Sequence, residues 1–291
     1  MSERMRVGLF VGAKLNPIET HRAIWRIADE AGFDHVWHDD HLLTVAGGSP
    51  PDLPILEAWT LLGAMAEATN RVHVGTLVTA NLYRNPGMLA KMAATVDHIS
   101  GGRLEMAIGT GWAEREFTSL GMPFAETPER IDRMDEACSI LRLLWTQARS
   151  DFDGRFYSLV DAICEPKPVQ QPHPPIWIGG RGPKRTLRVA ARQANVWNSS
   201  GSRGLDADLE ATRILNDHCV AIGRDPTEIR RSTVIEAAAL DDVVELAGQY
   251  AAAGFSELIL GLSAGDPIQQ AERVAVPALA RILTMTVGPV V

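Results

Sequence analysis

The sequence predicts an α/β chain folded as a TIM-type (β/α)8 barrel, with a small hairpin insertion after the fourth helix. Short β-branched and aliphatic runs alternate with longer stretches of helical periodicity, eight times between Arg6 and Leu283. Such alternation means parallel strands joined by right-handed crossovers. Eight units in ~280 residues suit a closed barrel better than an open doubly wound sheet. The first strand also leads into GLFVGAKLNP, which lacks the GxGxxG turn of a dinucleotide fold. One barrel domain spanning residues 1–291 is therefore expected.

Arg6–Val11 reads as the first strand. The helix Pro17–Gly32 follows, with proline near its start, glycine at its end, and Ile24, Ile27, Ala28 and Ala31 on one face. Phe33–Trp37 is the second strand, and Leu42–Pro54 is a proline- and glycine-rich loop. Ile55–Thr69 is a helix, Val72–Val78 the third strand, Pro86–Ile99 a helix and Arg103–Ile108 the fourth strand. The long fourth helix, Pro128–Thr146, carries Ile131, Met134, Ala137, Cys138, Leu141, Leu144 and Trp145 on one face. Asp151–Pro175 interrupts the rhythm: a DG turn flanked by aromatics reads as the hairpin. Strands at Ile176–Ile178, Asn195–Trp197, Arg231–Ala237 and Glu257–Leu260 complete the barrel. Their helices run through Arg192, over Asp206–Ile222 and Asp241–Ala253, and over Pro267–Leu283.

The composition is that of an ordinary globular protein, 46% apolar and 22% charged, with a net charge of −8. That charge argues against nucleic acid or an anionic membrane as the main partner. Cys138, Cys164 and Cys219 show no CxxC spacing and read as reduced thiols in a cytoplasmic protein. The start, MSERMRVGLFVGAK, reads as a strand rather than a secretory signal. No run approaches the ~18 apolar residues of a membrane span.

A barrel of this kind builds its site where strands end and the following loops begin. The second strand ends in HDDHL, the third in TANLYRNP, the fourth in GTGWAEREF, the fifth in GGRGPKRT and the sixth in NSSG. In GGRGPKRT, Gly179, Gly180 and Gly182 allow close backbone approach, and Pro183 suits the first turn of a helix whose N-terminus favours an anion. A phosphate cradle assisted by Arg181 and a plain tight turn are both compatible with this. Gly109 and Gly111 of GTGW also permit close approach, while Trp112 either offers an aromatic face or packs under a loop.

In HDDH, alternation puts His38 with Asp40 and Asp39 with His41, too few facing groups for a metal site. No metal is expected. An acid/base role needs one histidine at the barrel mouth and a neighbour that fixes its tautomer, a part assigned to Asp40 beside His41. Asp39 reads as solvated, and His38 is open to the same reading. Around this mouth Trp112, Phe117, Met122 and Phe124 are apolar, and Glu114, Arg115 and Glu116 are charged. Glu116 is alternatively a brace for the loop.

FDHVWHDDHL, VGTLVTANLYRNPGMLAKMAATVDHISGGRLEMAIGTGW and PPIWIGGRGPKRTLRVAARQANVWN together resemble the luciferase-like oxidoreductase superfamily, and within it the branch dependent on coenzyme F420. The resemblance runs from about residue 5 to about residue 285. It implies a barrel that binds a flavin or deazaflavin at the strand C-termini. His41, with Asp40 beside it, would face the reaction centre. A bulge with a non-prolyl cis peptide at Leu77–Val78, after Gly75–Thr76, would back the ring. Gly109, Thr110, Gly111 and Trp112 would line the cofactor, and the backbone of Gly179–Gly180–Arg181–Gly182 would take its phosphate. The activity implied is hydride transfer between F420 and an unidentified small organic substrate, and a homodimer is the implied assembly. An FMN-dependent monooxygenase of the same fold, a non-catalytic flavin- or deazaflavin-binding protein, and a phosphate-binding barrel for aldol or sugar chemistry are the alternatives. The last lacks a lysine at a strand end for a Schiff base. The seventh strand ends in AALDD with no lysine or arginine, which argues against glucose 6-phosphate as substrate.

Overall fold

The computed structural model describes residues 4–12, 16–44, 52–262 and 265–290. Strand β1 (Arg6–Phe10) is followed by α1 (Ile18–Ala31), β2 (His35–His38), α2 (Ala58–Ala68), β3 (His73–Thr76), the two-residue β4 (Thr79–Ala80), α3 (Pro86–Ser100) and β5 (Leu104–Gly109). Then come α4 (Glu114–Ser119), α5 (Thr127–Thr146), the hairpin β6 (Ser150–Asp153) and β7 (Ser158–Ala162), and β8 (Ile176–Gly179). The chain continues through α6 (Thr186–Gln193), β9 (Val196–Ser199), α7 (Leu205–Ala221), β10 (Arg230–Glu236), α8 (Leu240–Ala252) and β11 (Glu257–Gly261). It ends in α9 (Pro267–Gln270) and α10 (Val276–Ile282).

The large sheet runs β3-β2-β1-β11-β10-β9-β8-β5-β4, and β3 also pairs with β5, which closes a parallel barrel. The hairpin β6–β7 stands apart as a two-stranded antiparallel sheet. The predicted barrel and its hairpin insertion are thus both present. Glu136 on α5 accepts the backbone N–H groups of Arg155, Phe156 and Tyr157, so the long helix organises the hairpin turn. No helix among the described residues is long and apolar enough to cross a membrane.

Two cores follow from strands buried on both faces. The larger lies between strands and helices; the smaller fills the barrel with Trp37, Ala107, Trp177, Val196 and Ile259. Inward glycines make room for the rings. A Cβ on Gly8 would lie 1.8 Å from His35 Nδ1, and one on Gly75 would lie 2.3 Å from Trp37 Cζ3. Below them sits a buried polar layer. Glu257 takes Arg6 at 2.9 Å, His35 at 3.1 Å and Arg230, while Glu105 takes Arg6 at 3.2 Å, His73 at 3.0 Å and the Trp177 indole at 2.6 Å.

The third strand stops at Thr76 and resumes at Thr79, around the non-prolyl cis peptide at Leu77–Val78 that the family resemblance implies. Two elements depart from expectation. The six-residue helix α4 follows GTGW, where the sequence reading has only a loop. The last helix is broken by a π turn over Ala271–Ala275. Pro277, one residue into α10, lacks the N–H that a continuous α-helix would use there. Part of the predicted loop after His41, residues 45–51, lies outside the described residues.

Candidate active site

The C-terminal ends of the strands surround a cavity of about 430 Å³, within the usual range for small-molecule and cofactor sites. Leu77 and Val78 enter it from the cis peptide; Gly109, Thr110, Gly111 and Trp112 enter from the end of β5; Gly179 and Gly180 enter from the end of β8. Eight of the eleven residues expected from the sequence to hold a cofactor therefore meet in one space. Thr76 is buried beneath, its hydroxyl 2.5 Å from that of Thr79. The glycines shape the wall. A Cβ on Gly109 would lie 2.5 Å from Val78 Cγ2, and one on Gly179 3.1 Å from Val78 Cγ1, so both strand ends leave room for Val78 to reach the cavity. Gly111 adopts φ +71° and Gly180 φ +111°, backbone that L side chains rarely take. Phe10 and Val234 add apolar surface, and Asn198 and Ser200 add polar groups that the sequence reading did not single out. A mostly apolar slot with a few polar edges suits a flat heteroaromatic ring.

At the cradle the backbone is partly committed. Gly180 donates its N–H to the Asn198 carbonyl at 3.1 Å and accepts the Trp197 indole at 2.7 Å. Arg181, expected to assist a phosphate, is bound to buried Asp208 at 2.8 Å. Asp208 also takes Ser199, Thr233 and Tyr250. This arginine is therefore a structural brace between the loop and α7, and Gly182 leads into the turn before α6.

A second, smaller chamber of about 140 Å³ adjoins the cavity and shares Leu77, Val78, Gly111 and Trp112 with it. His41 opens into it. The ring stands edge-on to Trp112, with centroids 5.5 Å apart and planes at 79°. Its Nδ1 lies 2.9 Å from Glu116 Oε2, the geometry of an Nδ1–H donated to a carboxylate. Among the described residues no side chain or backbone group takes up Nε2. Glu116 is fully buried and saturated: it also accepts Tyr83 Oη at 2.7 Å, and the N–H groups of Leu42 at 2.5 Å and Leu43 at 2.9 Å. Burial alone would lower the His41 pKa, but the hydrogen bond and charge of Glu116 outweigh it and raise the value above its ordinary 6.5. Burial likewise works to raise Glu116, and His41, the loop N–H groups and Tyr83 together bring it below its ordinary range.

The expected pairing of Asp40 with His41 is therefore corrected. Asp40 forms a two-point ion pair with Arg84, at 2.6 and 3.1 Å, and accepts the Ala80 N–H at 2.9 Å. It ties the second strand end to the third and leaves the histidine to Glu116. Asp39 is half-buried and lines the chamber, not fully solvated. His38 is fully buried, its Nε2 2.9 Å from the Ala58 carbonyl, and burial drives its pKa down to about 3, so the ring is neutral. Trp37 packs inside the barrel, and Trp112 is 61% exposed at the mouth.

The sequence matches the family described as luciferase-like monooxygenase over residues 5–254. The chain belongs to that family. A relative in Pseudomonas putida, described as an FMNH2-dependent dimethylsulfone monooxygenase, is 31% identical over 257 residues, covering 86% of this chain and 69% of its own. A Microbacterium testaceum relative described as an F420-dependent glucose-6-phosphate dehydrogenase is 37% identical over 193 residues, 65% of this chain and 54% of its own. The solved structure of an F420-dependent secondary alcohol dehydrogenase, holding an F420–acetone adduct, superposes with a TM-score of 0.76 at 22% identity. It covers 95% of this chain and 99% of its own, and shows the shared fold. The luciferase-like oxidoreductases similar to this chain thus include users of both F420 and reduced FMN.

Two site residues escaped the sequence reading in their roles. The sequence reads Glu116 as a mouth charge or loop brace, and it is the brace and the histidine's partner at once. Tyr83 was not singled out. The available signal was the EREF segment itself: Glu116 and Phe117 are neighbours that both turn inward on α4.

Proposed function

We propose that this protein is an oxidoreductase that moves a hydride between coenzyme F420 and a small organic substrate. The observation that carries the reading is His41, held by Glu116 and opening beside the wall of the main cavity. F420, when bound, supplies a ring carbon that accepts or returns a hydride. The main cavity would hold its ring, with the Leu77–Val78 segment behind it and the Gly109 and Gly179 strand ends at its edges. When a hydride leaves a carbon that carries a hydroxyl, the hydroxyl proton must also leave. His41 would take it at Nε2, while Glu116 holds Nδ1–H and stabilises the imidazolium that forms. In the reverse direction the same nitrogen returns the proton to the carbonyl oxygen. Trp112 would wall the substrate side.

A second reading, an FMN-dependent monooxygenase, is favoured by the relative that matches 86% of the chain. Paired assays separate them. Under anaerobic conditions with oxidised F420 and a panel of secondary alcohols, the first reading expects loss of the F420 absorbance. With reduced FMN in air it expects no substrate-dependent oxygen uptake above the free-flavin rate. Oxygen uptake with an oxygenated product, and no F420 reduction, supports the second reading instead.

A further inference from the structure

We infer that Tyr83 is a positioning residue of this site: its hydroxyl fixes the Glu116 oxygen that faces His41 and limits how strongly that oxygen holds the imidazole proton. The placement follows from geometry; its use in the reaction rests on the proposed hydride-transfer reading. Glu116 divides its donors between two oxygens. Oε1 accepts the N–H groups of Leu42 and Leu43, and Oε2 accepts Tyr83 Oη at 2.7 Å and His41 Nδ1 at 2.9 Å. Tyrosine and histidine thus share one oxygen. The ring of Tyr83 packs on Phe117, the residue after Glu116 on α4, with centroids 4.7 Å apart. Arg84, the neighbour of Tyr83 in sequence, forms the two-point pair with Asp40, the neighbour of His41. Residues 83 and 84 therefore grip both segments that carry the pair: α4 through Glu116 and Phe117, and the end of β2 through Asp40.

A donor on a carboxylate oxygen stabilises the anion and lowers its proton affinity. Without the Tyr83 hydroxyl, Oε2 would keep His41 as its one donor among the described residues, in a buried place where water screens little. The carboxylate would then favour the imidazolium more strongly. The other charges around the pair are the same with and without that hydroxyl. They are Asp39 and Asp40 on the histidine's own strand end, Arg84 with its partners Asp40 and Glu57, and Glu114 and Arg115, both exposed on α4.

The test is the His41 titration in Tyr83→Phe, which keeps the ring and removes the hydroxyl, read by imidazole NMR without cofactor or substrate. His41→Asn identifies the resonance. The midpoint should rise by roughly half a pH unit or more above that of the unaltered protein. In a Glu116→Gln background the same substitution should move it less, because the charge through which Tyr83 acts is gone. An unmoved or lowered midpoint, or an equal shift in the two backgrounds, would overturn the inference. Protein labelled with fluorotyrosine and otherwise of native sequence gives a second reading that needs no substitution. The chain has three tyrosines, and the fluorine resonance of one should follow the His41 midpoint; if none follows it, the inference falls. Turnover separates this from the hydride-transfer reading. If F420-dependent alcohol oxidation by Tyr83→Phe rises with pH at the same shifted midpoint, both stand. If the NMR midpoint moves and no F420 turnover is found, the positioning role holds and the hydride-transfer reading falls.

Discussion

His41 and Glu116 stand 75 residues apart in the chain and 2.9 Å apart in the site. Replacing Glu116 with glutamine removes the charge that raises the imidazole. The His41 titration midpoint, read by NMR or from the pH profile of turnover, should then move down, and turnover should fall about tenfold or more. His41→Ala should cut turnover by about 10²–10⁴ while cofactor binding stays within a few-fold. Unchanged turnover in that variant would contradict the acid/base role given to His41. The pair also links stability to pH. Because the folded His41 value is raised, its contribution is complete below the ordinary 6.5 and is lost as pH rises through the raised value. Because Glu116 is lowered, its contribution is complete above the ordinary 4.5 and is lost as pH falls through the lowered value. HDDHL was legible as a site segment because four ionisable side chains at a strand end are unusual. Which acid serves the histidine was not legible: adjacency in sequence pointed to Asp40, but an extended backbone turns neighbouring side chains apart.

The strand ends are built around absent side chains. Gly109→Ala would put a methyl group 2.5 Å from Val78 Cγ2, at the cavity wall. Val78 must then shift, and cofactor affinity should fall by an order of magnitude or more in an equilibrium titration, with a smaller loss of stability. Gly8→Ala acts deeper. Its methyl group would meet the His35 ring at 1.8 Å inside the closed barrel, where neither strand can yield. Denaturant unfolding should show a loss of about 1–3 kcal/mol or more, the range for overpacked cores. The glycine-rich strand ends were readable as places of close backbone approach, which is how Gly109, Gly111, Gly179 and Gly180 were found. Arg181 shows the limit of that reading. Its role depends on Asp208, 27 residues away on α7, and a basic residue in a glycine loop looks the same in sequence whether it meets a ligand or a buried carboxylate. Helix α4 was missed because six residues hold too little periodicity to register.

The barrel as a whole is tied at its base by Glu105 and Glu257, which gather partners from β1, β2, β3, β8 and β10. Removing one partner from a buried charge network leaves the others unpaired. Glu257→Gln, which strands Arg230 and His35 and leaves Arg6 to Glu105 alone, should cost about 3–5 kcal/mol in urea unfolding. Burial pushes Glu105 upward, but the His73 hydrogen bond and the charges of Arg6 and Arg230 hold it at about 2. Its contribution is therefore present above its ordinary 4.5 and is lost as pH falls towards about 2, and Glu105→Gln should flatten that part of the acid-unfolding curve. The closed barrel was legible because eight strand–helix repeats leave few alternatives. The base layer was not, because charged residues at strand starts read as solvent-facing until closure turns them inward.

Equilibrium binding of purified protein to F420 and, separately, to FMN bears most directly on the claim that this cavity holds a deazaflavin for hydride transfer. Tight F420 binding with much weaker FMN binding is the expected outcome. Tight FMN binding with little affinity for F420 would contradict it.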